Sequence, residues 1–214
     1  MRTTLGQDVA SIAAGLGNDQ IHVWRLRYER AWRREPLCAL LGIYLGLPAG
    51  DIALVDGKHG RPELAEPWNG LLQFNWSHSG DTALVALARR VAPGVDIERL
   101  RPRARAMQLA DRFFHPEETA ALASLDATER EQAFLQLWTG KEAVLKAMGR
   151  GIAFGLDRLR LAVAPAAPQV IWLDGDDPAQ WQLHPLQVDS SHVASLAWRG
   201  PAQAIACWTL ADSG

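Results

Sequence analysis

The stretch Gly94-Val95-Asp96-Ile97-Glu98 divides the chain. Read as a strand, its period of two sends Val95 and Ile97 to one face and both carboxylates to the other. Upstream of it, Ala92 to Gly94 forms a Pro-Gly junction. On either side the sequence carries a helix pattern and several short strand patterns, so the expected fold class is α+β. The expected architecture is two similar-sized, pseudo-symmetric lobes, residues 1–93 and 94–214, each with a small antiparallel sheet packed on helices.

In the first lobe, Ile21 to Arg27 alternates as a strand, and Arg30 to Leu47 shows helical recurrence at Leu37, Leu40, Leu41 and Tyr44. Gly46, Pro48 and Gly50 stop that helix. Ile52 to Val55 reads as a short strand, Gly57 to Asn69 as a loop rich in turn formers, and Thr82 to Ala88 as a buried strand. In the second lobe, helices are predicted over Ala104 to Phe114, Pro116 to Leu125 and Thr128 to Met148. Strands follow at Leu159 to Ala162, Val170 to Leu173, Trp181 to Pro185, His192 to Trp198 and Ala204 to Leu210. Proline in the first turn followed by Glu117 and Glu118 suits a helix start.

With 48% hydrophobic residues among 214, the chain can bury a full core. Twenty-two Lys and Arg face 24 Asp and Glu, a formal charge of -2, so no nucleic-acid coat or membrane surface is expected and any anion site must be local. Cys38 and Cys207 are the two cysteines, far apart, which points to a reducing compartment with both as buried small apolar residues. The apolar stretch Val9 to Gly17 lacks a basic run before it, and Leu37 to Gly50 is too short to span a bilayer. A cytoplasmic location follows as the expectation.

Four segments carry chemistry. Asp96 and Glu98 repel one another across one strand face, a cost that a hard divalent cation relieves; alternatively they line the solvated face of an edge strand. In Trp138-Thr139-Gly140-Lys141-Glu142-Ala143-Val144-Leu145-Lys146, helical spacing aligns Trp138, Glu142 and Lys146 in one stripe. Exposed Glu–Lys pairs of this kind are common, but the apolar neighbours Phe134, Leu137, Val144 and Leu145 bury this helix, and buried charges need partners. Phe74-Asn75-Trp76-Ser77-His78-Ser79-Gly80 offers hydroxyl and imidazole donors for a phosphate, or else a capped hairpin turn. A Ser-His hydrolase fits less well, since no nucleophile-elbow glycines surround Ser77. Gly60-Arg61-Pro62 holds a guanidinium on a rigid turn, an ordinary turn when taken alone.

In this order the four segments resemble the motif series of the 4′-phosphopantetheinyl transferases of the surfactin-synthetase-activating type, over residues 58 to 152. Arg112-Phe113-Phe114 with Glu117 and Glu118 is similar to the family's segment between the last two motifs, and Ala31-Trp32-Arg33 to its early arginine-bearing helix. The family usually has lysine where Arg61 stands, and from Leu159 onward no motif matches.

The resemblance implies a monomeric holo-[acyl-carrier-protein] synthase that moves 4′-phosphopantetheine from coenzyme A to a serine of an apo acyl, peptidyl or polyketide carrier protein, releasing 3′,5′-ADP, in fatty-acid, polyketide or non-ribosomal-peptide synthesis. It implies Mg²⁺ on Asp96, Glu98 and Glu142, with Glu142 or a magnesium-bound water as base. Lys146 is implied near the breaking bond, Ser77, His78 and Arg61 on the nucleotide 3′-phosphate, and Arg33 near the nucleotide. The carrier is expected on Arg101 to Phe114, where arginines adjoin aromatics. A magnesium-dependent nucleotide pyrophosphohydrolase uses the same carboxylates, and a non-catalytic nucleotide-binding module keeps the same fold; both stand as alternatives.

Overall fold

A computed structural model of the chain describes residues 1–4, 6–57 and 60–211. Lys58 and His59, at the start of the matched motifs, lie outside the described residues, as do residues 212–214. The chain builds four layers. A first sheet in the order β1, β12, β2, β6, β5 comprises β1 (Arg2–Thr4), β12 (Ala204–Leu210), β2 (Gln20–Arg27), β6 (Thr82–Ala88) and β5 (Gln73–Ser79). Its outer face carries α1 (Gly6–Ala14) and α2 (Glu35–Leu45) over a core of Trp24, Leu26, Leu37, Leu41, Phe74 and Val85.

The second sheet, in the order β10, β11, β7, comprises β10 (Trp181–Leu186), β11 (His192–Arg199) and β7 (Gly94–Arg99). Its outer face carries α3 (Ala106–Phe113), α4 (Pro116–Ala123) and α5 (Ala127–Met148), with a core built on Phe114, Leu122, Phe134, Leu137, Val144 and Leu183. The inner faces of the two sheets share a third core of Ile21, Val23, Leu84, Val95, Ile97, Leu196 and Trp198. Two small ladders, β3 (Leu54–Asp56) with β4 (Pro62–Leu64) and β8 (Leu159–Leu161) with β9 (Val170–Leu173), complete the fold. This is the α+β, two-lobe class read from the sequence.

Several expectations change. The first sheet is not wholly antiparallel, because β12 runs parallel to both β1 and β2. Ala204–Leu210, assigned by sequence to the second lobe, thus returns to the first. The return is held by aromatic contact: Trp208 stacks on Trp24 with centroids 5.2 Å apart and lies edge-on to His22. Beneath them Trp24 Nε1 donates to the Tyr44 hydroxyl, which lies 2.7 Å from His22 Nδ1. Burial and the nearby Arg89 charge hold the pKa of His22 down to about 4, so at neutral pH it is an uncharged partner to Tyr44.

The helix expected over Arg30 to Leu47 is a 3-10 turn (Arg30–Trp32) and then α2, separated at Arg33, whose φ is 50°. Pro36 explains the break, since it fits a helix's first turn and not its interior. The loop read at Gly57 to Asn69 contains β4. The polar cluster at Phe74 to Gly80 is itself strand, over β5. Cys38 and Cys207, expected buried, are partly exposed and free.

Sterics fix how β7 meets α5. A Cβ on Gly94 would sit 2.0 Å from Ala143 O and 2.4 Å from Ala147 N, backbone atoms that no rotamer change can move. Gly94→Ala is therefore expected to cost about 3 kcal/mol or more in urea unfolding, as overpacking against backbone does. A loss within the scatter of surface substitutions would show that the strand and helix do not approach this closely.

Candidate functional site

Two edge strands, β5 from the first sheet and β7 from the second, meet side by side without a backbone ladder between them. Polar side chains of β5 replace the ladder. Asn75 Oδ1 accepts from Val95 N at 2.9 Å, Ser77 Oγ donates to Asp96 Oδ1 at 2.8 Å, and Ser79 Oγ accepts from Arg99 N at 3.0 Å. The period of two that buries Phe74 in the first core turns these three residues toward β7. The hydroxyl alternation read as a phosphate turn is in this structure a seam between lobes.

Arg61 closes the same seam. Its guanidinium donates to Lys146 O at 3.0 Å, Phe74 O at 2.8 Å and Pro93 O at 3.4 Å, joining three segments through carbonyls. Burial holds its pKa below the usual range, against Glu63, which raises it. A guanidinium so engaged has little of its fork left for a phosphate.

Asp96 and Glu142 come together across the β7–α5 contact. Lys146 Nζ donates to Asp96 Oδ1 at 2.7 Å and to Val95 O at 3.1 Å. Asp96 Oδ2 and Glu142 Oε1 are both buried with no hydrogen-bond partner among the described residues. Burial, then the Asp96 charge, pushes the Glu142 pKa up to about 7, with Lys146 acting in the opposite sense. Two orphaned buried carboxylate oxygens, held close enough to raise one pKa, are a donor set of the kind that fits a hard cation. Glu98 lies on the same strand face, but its Oε2 accepts from Arg103 at 2.7 Å and from Ser79 Oγ at 3.3 Å. No group of three metal-ligating side chains is assembled among the described residues, so the site fits a cation held by two carboxylates, with Glu98 at its margin.

A cavity of about 220 Å³ opens beside this pair, lined by Arg61, Asn75, Trp76, Glu142, Lys146 and glycines 149 and 151. Above it, His78 stacks on Tyr28 with centroids 4.2 Å apart. Its pKa is lowered by burial and then by the charges of Lys146 and Arg30. Arg30 is the arginine of the 3-10 turn whose charge acts on His78, whereas Arg33, which follows that turn, is exposed. The helical stripe separates too: Trp138 packs toward Phe114 and Phe134, while Glu142 and Lys146 reach the cleft.

Sequence reading did not single out Lys141. Its side chain is 0% exposed, paired at 2.6 Å with Glu118, and it donates to Leu156 O and Leu159 O. Glu118 in turn accepts from Leu161 N and His115 N. The apolar neighbours that demanded partners for Glu142 applied equally to Lys141, and that was the available signal.

On the expected carrier surface, Arg101 and Arg105 are exposed, Arg103 is drawn to Glu98, and Phe114 is buried in the second core with Phe113 only partly exposed. The exposed aromatics expected there are absent, because their rings complete the packing of α3 on α5.

The model of the 4′-phosphopantetheinyl transferase superfamily matches residues 92–197. The chain is 37% identical over 197 residues to the 4′-phosphopantetheinyl transferase HetI of Nostoc sp., covering 88% of this chain and 81% of that protein. It is 32% identical over 160 residues to the 4′-phosphopantetheinyl transferase psf-1 of Bacillus pumilus, covering 74% and 65%. With the L-aminoadipate-semialdehyde dehydrogenase-phosphopantetheinyl transferase of Homo sapiens it shares 27% over 175 residues, covering 73% and 56%. It spans less than two thirds of the latter two.

The raised pKa of Glu142 has a consequence for stability. Between its unfolded value of 4.5 and about 7 the unfolded chain gives up this proton while the folded chain keeps it, so the group lowers stability progressively as pH rises through that window. Glu142→Gln should therefore melt above the parent at pH 8 in the absence of divalent cations, and the gap should shrink toward pH 4.5. Mg²⁺ should close the gap at pH 8 by stabilising the parent. Parallel melting curves at every pH would remove the coupling of Glu142 to Asp96.

Proposed function

Because this chain belongs to the 4′-phosphopantetheinyl transferase superfamily, we propose that it carries the phosphopantetheine arm of coenzyme A to the serine hydroxyl of an apo carrier protein, with release of 3′,5′-ADP. The observation that supports this most is the pair Glu142 and Lys146 on the wall of the cavity, with Asp96 bonded to Lys146 behind them and one oxygen of each carboxylate left unpartnered. The reading includes the surfactin-synthetase-activating type, a monomeric form and a cytoplasmic location. No helix among the described residues is long and apolar enough to cross a membrane.

In this reading Asp96 and Glu142 hold Mg²⁺, with Glu98 beside them, and the cation when bound supplies neutralisation of the pyrophosphate charge. Ser77 fixes the Asp96 carboxylate through Oδ1 and leaves Oδ2 unpartnered. Lys146, already beside Asp96, places its ammonium where charge builds on the departing phosphate. Glu142 receives the serine proton as general base. His78 and Arg30 provide the basic neighbourhood for the nucleotide 3′-phosphate, with Ser77 nearer the metal side and Arg61 supporting the walls. Positioning and charge neutralisation carry most of such a transfer, because the protein has little covalent chemistry to perform.

Incubation with coenzyme A, Mg²⁺ and an apo carrier should add the phosphopantetheine mass to the carrier, with 3′,5′-ADP appearing only when the carrier is present. Release without the carrier would instead favour a pyrophosphohydrolase. Glu142→Gln should lower kcat by about 10² to 10⁴. Asp96→Ala should regain part of its loss at high Mg²⁺, as mass action requires. A Glu142→Gln enzyme within tenfold of the parent at saturating Mg²⁺ would take the base role away from Glu142.

His78 and Arg61 should separate in a second comparison. His78→Ala should weaken coenzyme A more than 3′-dephospho-coenzyme A, because a charged contact matters only when its partner is present. Arg61→Ala should lower the melting temperature and weaken both ligands alike, since it frees three carbonyls at the seam. Selective loss of the 3′-phosphate contact in Arg61→Ala would assign that phosphate to Arg61.

A further inference from the structure

The inner layer between the two sheets is apolar for most of its length and changes character at one rim. Along β2 the residues facing this layer are Ile21 and Val23, and the same alternation then places Arg25 and Arg27 there. Along β7 the corresponding series is Val95 and Ile97, followed by Arg99, whose ladder partner on β11 is His192. A dry sandwich thus ends in three arginines and a histidine contributed by both lobes. They line a cleft of about 440 Å³, in which Asp81 is the one carboxylate among the described lining residues.

His192 is the informative member. Its side chain is only 3% exposed, and Nδ1 lies 2.9 Å from Asp189 Oδ1. The carboxylate accepts, so Nδ1 carries the hydrogen, and in the neutral ring Nε2 is the acceptor. That Nε2 is buried with no hydrogen-bond partner among the described residues. Asp189 itself is spent: Oδ1 also accepts from Ser191 N and Oγ, and Oδ2 pairs with Arg25 at 2.8 Å. One carboxylate therefore holds both the imidazole and a guanidinium, and both residues line the cleft. Arg27 is held by Glu29 and lies over Trp32, whereas the Arg99 guanidinium rests near Gly80.

We propose that this rim is a binding site for hydrogen phosphate, separate from the Asp96–Glu142 cleft and lying on the opposite face of β7. The anion's charged oxygens would accept from Arg99 and Arg25, and its P–OH would donate to His192 Nε2. The requirement for both a hydroxyl donor and a negative charge selects phosphate over sulfate, which keeps no proton at neutral pH. Because Arg25 belongs to the first sheet and Arg99 and His192 to the second, the bound anion ties the two lobes together.

Calorimetric titration of the full chain with sodium phosphate at pH 7.5 and fixed ionic strength tests this, with sodium sulfate run in parallel. The expected result is a phosphate isotherm whose affinity falls at least about tenfold in Arg99→Gln, the loss of one charge-assisted hydrogen bond. Arg99 is exposed, so the variant should keep the parent's melting temperature without phosphate. His78→Ala, which alters the other basic neighbourhood, should retain the affinity, and sulfate should bind about tenfold more weakly than phosphate to the parent. Identical phosphate isotherms for the parent and Arg99→Gln would overturn the proposal. So would sulfate binding as tightly as phosphate, a comparison that needs no variant.

Discussion

The contact of Gly94 with the backbone of α5 sets the geometry on which the remaining features depend. With no side chain at that position the strand lies directly on the helix, and two residues further along Asp96 is pressed against the turn that carries Glu142 and Lys146. A strand held one methyl group further away would leave the carboxylates in water, where their mutual repulsion would be screened. Close packing, and not any single hydrogen bond, makes the pair electrostatically strained. Burial first, and then the Asp96 charge, pushes the Glu142 pKa up to about 7, and one oxygen of each carboxylate is left without a partner.

Adjacent positions on α5 treat charge in opposite ways. Lys141 points into the second core and is fully met by Glu118 and two carbonyls, an arrangement in which removing one partner costs about 3–5 kcal/mol. Its network joins α4, α5 and the segment before β8 into one unit. Glu142, one residue on and turned to the other side, is left incompletely met at a cavity wall. A rigid, satisfied pair behind an unsatisfied one lets the helix hold its functional charge in place without collapsing onto it.

Periodicity made much of this visible in the sequence. Thr82–Ala88 and the helices of the second lobe follow directly from apolar spacing, and the split of Val95 and Ile97 from Asp96 and Glu98 needs only a period of two. Other features depend on partners that local sequence does not encode. Strand β5 reads as a polar turn because Asn75, Ser77 and Ser79 face a neighbouring strand edge and not solvent. The parallel return of β12 is set by Trp24 and Tyr44, more than 150 residues earlier in the chain. Arg30 and Arg33 are indistinguishable on a helical template, and only the break before Pro36 sends one of them toward His78.

Arg61 shows why a motif position cannot be given a role from charge alone. A guanidinium offers five donors in a fixed plane, and at Arg61 they reach three carbonyls that belong to both lobes. An ammonium has three donors on a flexible stem and meets the same carbonyls only by giving up one geometry for another. Arg61 is thereby committed to holding the cleft together. The fixed plane of the guanidinium turns its charge toward the fold, where the three carbonyls meet it.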